Sequence, residues 1–124
     1  MLRLIAGIVA GVLVWMAVVI GVSLLLRAVA PGVDAAMVRH ATTFAMAERL
    51  AVSFLGSLIG GAAAALVAAD RSRAPLLAGL LLLAGFAYYH VTMIWHEFPV
   101  WYHLTFFVSL PLLSLFGGRL IGPK

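Results

Sequence analysis

The sequence predicts an all-α integral membrane four-helix bundle, and three observations carry that prediction. Apolar residues make up 65% of the 124-residue chain and charged residues only 10%, whereas a soluble domain is about half apolar and about a quarter charged. The apolar residues gather into four runs, spanning 4–26, 50–69, 74–95 and 101–118, none of which holds an Asp, Glu, Lys or Arg. No run alternates as the strands of a membrane barrel do, so each must satisfy its own backbone amides as a helix. The whole chain, residues 1–124, is expected to be one transmembrane domain.

The first run lies between Arg3 and Arg27 and makes roughly 34 Å of helix, enough for a hydrocarbon core of about 30 Å with some tilt. Ala28-Val29-Ala30 has the small-x-small form of a signal cleavage site. The run is much longer than the roughly 7 to 15 residues of a signal core, however, and Pro31 would follow the cut, so the segment is expected to stay as a first span. The outer loop, residues 27–49, opens with Pro31-Gly32, after which Asp34 can cap a helix that nothing interrupts before Glu48. Met37, Ala41 and Phe44 share one face, and Arg39, His40 and Thr43 turn away from it. That pattern predicts either a short interfacial helix between the first and second spans or a helix running into the second span as one bent piece.

The second run carries two ridges of small residues, Ser53-Ser57-Gly61-Ala65-Ala69 and Gly56-Gly60-Ala64-Ala68. Lipid supplies no hydrophobic drive between helices, so association there depends on close backbone approach, which Ser53, Gly56, Ser57, Gly60, Gly61 and Ala64 would permit. Gly7, Gly11, Val14, Ala17 and Gly21 make a weaker version in the first run. Such faces serve packing within the chain or packing on another protein. The third run begins with Pro75 in a first-turn position. The fourth has Pro111 near its middle, which removes an amide and crowds the carbonyl of Phe107. A kink is expected there, with Ser109 and Ser114 within reach of the freed group.

Chemistry-bearing side chains collect between the last two runs. His90, His96, Glu97 and His103 lie on or beside the turn that contains the segment WHEFPVWYH, residues 95–103. His90 is the ionisable side chain set within a span, which makes it a candidate ligand or proton site, with His103 on the returning helix as the nearest candidate partner. Tyr88, Tyr89, Trp95, Phe98, Trp101 and Tyr102 surround these histidines as an aromatic belt would. The spacing matches no helix-borne metal motif such as HExxH. No cofactor is therefore predicted, although histidines beside aromatics could hold a metal, a haem or a quinone.

Basic residues favour cytoplasmic termini, with Arg3, Arg71, Arg73, Arg119 and Lys124 on that side and Arg27, Arg39 and Arg49 on the other. The size of the chain points to a bacterial inner membrane, and its net charge of +4 suits anionic head groups without any nucleic acid. There is no cysteine, no phosphate-binding loop and no acid–base pair within the runs, so no enzyme activity is expected. The reading favoured by sequence is a non-catalytic accessory or scaffold subunit that packs, through its small-residue face, on another membrane protein or on itself. A small oligomeric channel or transporter comes second. Binding of a metal, haem or quinone at the histidine-rich turn comes third.

Overall fold

The computed structural model describes residues 1–29 and 43–121. Four helices, α1 (Leu2–Val29), α2 (Thr43–Ala68), α3 (Arg73–Tyr89) and α4 (Val100–Ile121), account for almost all of them, with no strand among the described residues. A π-helical turn, His90–Ile94, and a 3₁₀ turn, Trp95–Glu97, extend α3 before the chain reverses. With that extension, all four helices are long and apolar enough to cross a membrane. α1 and α4 sit at opposite corners, and α2 is the most enclosed, packed on α1, α4 and α3. Leu13, Leu24, Leu81, Leu104, Val108 and Leu112 are among many exposed apolar side chains around the outside.

Both boundaries of the expected outer loop differ from the sequence reading, and α4 runs past Gly118 to Ile121. α1 continues to Val29, and α2 starts at Thr43 rather than Leu50, so the expected outer loop is shorter at both ends. With no Gly or Pro before Leu50 to stop it, the helix simply runs on through Glu48 and Arg49. The proposed start of that helix at Asp34, along with Met37, Arg39, His40 and Ala41, lies outside the described residues.

Glycine sets the spacing at one end of the bundle. A Cβ on Gly7 would fall 2.5 Å from the Cβ of Ala68, and Gly11 and Gly60 each lie against the other's carbonyl oxygen. The Gly56-Gly60-Ala64 ridge therefore faces α1. Gly61 faces α4, where a Cβ would fall 1.9 Å from the Ser114 carbonyl oxygen, and Gly117 of α4 lies as closely on the Leu58 carbonyl. α3 joins through Ala78 on Gly11, Gly79 on Pro111 and Pro75 on Gly118. Gly21 and Gly85, nearer the other end, have nothing within 4 Å of a built Cβ. α4 runs unbroken through Pro111, and the Ser109 hydroxyl donates to the carbonyl of Phe106 at 2.9 Å, one residue before the carbonyl expected to be freed.

The turn between α2 and α3 is built by capping. Ala69 is left-handed at φ 56°, and the Asp70 amide donates back to the Ala65 carbonyl at 3.1 Å, which closes the last turn of α2. Asp70 Oδ1 then accepts from the amides of Ser72 and Arg73, at 2.9 and 2.8 Å. Arg71 reaches across to donate to the carbonyl of Arg119 near the end of α4.

Three outcomes are expected. Gly61→Ala should lower stability by about 1–3 kcal/mol in a reversible detergent unfolding titration, as overpacking does, while Gly85→Ala should not lower it. Ala69→Gly should raise stability by about 0.5–1 kcal/mol, because glycine adopts the left-handed conformation without Cβ strain. The two amides hold the Asp70 carboxyl below the usual carboxylate range. Its stabilisation is therefore present above the unfolded-state value and lost as pH falls through the lower folded-state value, a loss that Asp70→Ala should remove from the acid limb of the stability profile.

Candidate functional site

At the end opposite Asp70, aromatic and imidazole rings replace glycine between the helices. α3 must end and reverse there, and Pro99 dictates how. Phe98, the residue before it, is extended at φ −131° and ψ 154°, which stops the helix. Upstream, the backbone widens into the π turn, and Thr92 donates its hydroxyl to the Tyr88 carbonyl at 2.7 Å. π turns of this kind often mark functional sites. The Tyr102 amide closes the start of α4 on the Pro99 carbonyl.

These turns bring His90 and His103 together and leave the other two candidates apart. The two Nδ1 atoms lie 2.7 Å apart, and both side chains are buried, at 3% and 0% exposure. His96 and Glu97 are exposed on the 3₁₀ turn. Among the described residues, no group of three His, Cys, Asp or Glu could hold a metal ion.

The hydrogen bonds fix the tautomers of the neutral pair. His103 Nε2 lies 3.0 Å from the Trp95 carbonyl oxygen, which can only accept, so Nε2 carries the proton. His103 Nδ1 is then an acceptor, and His90 Nδ1 must donate to it. What His90 keeps is the lone pair on Nε2. Its ring stacks on Phe106 at 4.7 Å between centroids and 17° between planes, and the His103 ring stacks on Trp95 at 4.4 Å and 11°. Phe98 stacks on Tyr102 at 4.9 Å. The distinctive segment from Trp95 to His103 therefore holds itself together.

Beside the pair is a cavity of about 430 Å³ between α1, α2, α3 and α4, with Trp15, Ser53, Phe86, His90, Tyr102 and Phe106 among its walls. Arg27, Glu48 and Arg49 also border it. Trp15 Nε1 donates to Ser57 Oγ at 3.2 Å, so Ser57 is satisfied. Ser53, one turn away and 3% exposed, has a buried Oγ with no hydrogen-bond partner.

Sequence reasoning placed Ser53 among packing residues and did not single out Trp15 or the Trp95 carbonyl. Trp15 did offer a signal, since a tryptophan deep in an apolar run has an N–H that needs an acceptor. The aromatic belt divides: Tyr88, Tyr89 and Trp101 are exposed, whereas Tyr102 is buried and Trp95 and Phe98 are half-buried against the histidines. His103→Ala should destabilise the protein by about 2–4 kcal/mol, because it leaves a buried N–H and a carbonyl unpaired and opens space. His96→Ala, at an exposed position, should stay within about 0.5 kcal/mol of wild type in the same unfolding assay.

Compared with protein-family models, with curated proteins and with solved structures, the chain matches none.

Proposed function

We propose that this chain is a multi-pass membrane protein, without catalytic activity, that binds a small amphipathic molecule in the cavity at its histidine end. The observation that carries this reading is the unpartnered, buried Ser53 Oγ in the wall of a cavity that His90 also lines. A buried hydroxyl without a partner costs about 1–3 kcal/mol, and a ligand group would recover it once the Ser53 side chain turns from its buried rotamer toward the cavity. The volume is within the roughly 300–1,000 Å³ of small-molecule sites, and mostly apolar walls with a few polar groups are what such sites present. In a bilayer, the basic residues counted above put the termini in the cytoplasm and the cavity in the outer leaflet, which in a bacterium would be the periplasmic side of the inner membrane.

The accessory or scaffold reading drew its support from small-residue faces free to meet another protein. Those faces are covered by the chain's own helices at Gly7, Gly11, Gly60, Gly61 and Gly117, which leaves the exposed apolar sides of α1, α3 and α4 as the surfaces for a membrane partner or a second copy. A pore along the bundle axis is opposed by the backbone contacts at Gly61 and Gly117, so conduction would need a path between copies.

The test is mass spectrometry of small molecules released from protein purified in native nanodiscs. Wild type should carry a defined amphiphile in near-stoichiometric amount. Ser23→Phe, which fills the cavity from α1, should carry at least about tenfold less with unchanged folding. Equal recovery from both, or bulk lipid alone, would contradict the reading.

A further inference from the structure

Resting on the ligand-binding reading, we infer that the cavity selects an aromatic hydroxyl compound, a quinol or related phenol, over the corresponding quinone. Three observations converge on that class. Trp15, Phe86, Tyr102 and Phe106 give the cavity flat aromatic walls, with Trp15 and Phe86 at 5.0 Å and Phe86 and Phe106 at 5.5 Å between centroids, against which a ring can pack. Ser53 Oγ lacks a partner and can donate or accept, so it accommodates either form of the ligand.

His90 makes the distinction. The Trp95 carbonyl takes the Nε2 proton of His103, His103 Nδ1 takes the Nδ1 proton of His90, and His90 is left with an unprotonated Nε2. A ligand hydroxyl can donate to that lone pair. A quinone carbonyl would set one acceptor against another, and a site built to hydrogen-bond a hydroxyl rejects the analogue that lacks it. The selecting group is thus set by a backbone carbonyl two hydrogen bonds away. This is a binding preference, with no electron transfer assigned to the protein.

The experiment is calorimetric titration of nanodisc-embedded protein with decylubiquinol, kept reduced with dithionite, and with decylubiquinone, each against empty nanodiscs at neutral pH. The quinol should bind at least about tenfold tighter. Ser53→Ala should weaken both forms about three- to tenfold and keep their ratio. His90→Phe preserves ring stacking and should bring the ratio close to one. If His90→Phe does not fold, the wild-type ratio decides alone. Equal or tighter binding of the quinone would overturn the inference and leave the ligand-binding reading standing. Failure of both probes to bind would also overturn it, and the nanodisc mass spectrometry would then show separately whether the cavity holds another amphiphile.

Discussion

Backbone contact at glycine is the constraint on which the rest of this structure depends. Helices in lipid gain nothing from burying apolar surface against one another and must gain from close packing instead. At the Asp70 end four of the helix pairs meet at a glycine: Gly7, Gly11 and Gly60 between α1 and α2, Gly11 on Ala78 between α1 and α3, Gly61 and Gly117 between α2 and α4, and Gly79 and Gly118 between α3 and α4. At the other end, Trp15, Phe86, Phe106, His90 and His103 stand between the same helices. Rings cannot pack as closely as backbones, and the space left among them is the cavity. One end holds the bundle shut so that the other can stay open.

The histidine end is ordered by hydrogen bonds as well as by rings. The Trp95 carbonyl orients His103, and His103 orients His90. Pro99 makes this possible by ending the extension of α3 at Phe98, which brings His103 back on α4 at the level of His90. Paired, the two imidazoles can remain neutral and buried, where a single ionisable group inside a membrane helix would be costly. Ser53 breaks the pattern: its hydroxyl is buried and unmatched, whereas Ser57 one turn away accepts from Trp15.

The architecture was legible in the sequence because composition and unbroken apolar runs decide it. The small-residue ridges were legible as packing surfaces, but not what they would pack on, since a ridge carries no record of whether its partner lies in the same chain. The pairing of His90 with His103 could be anticipated from an antiparallel return. The π turn could not be, because it arises from competition among backbone hydrogen bonds that no residue pattern announces. Nor could the tautomers, which depend on the position of one carbonyl oxygen. His96 and Glu97 looked like members of the site by proximity along the chain, yet the 3₁₀ turn exposes both.

Solid-state ¹⁵N NMR of histidine-labelled protein in lipid bilayers reads the hydrogen-bond chain itself, because ring nitrogen shifts report which nitrogen bears the proton. Two opposite neutral tautomers are expected, with His103 protonated at Nε2 and His90 at Nδ1, coupled through the hydrogen bond between their Nδ1 atoms. Both rings protonated at Nε2, with no coupling between them, would contradict it.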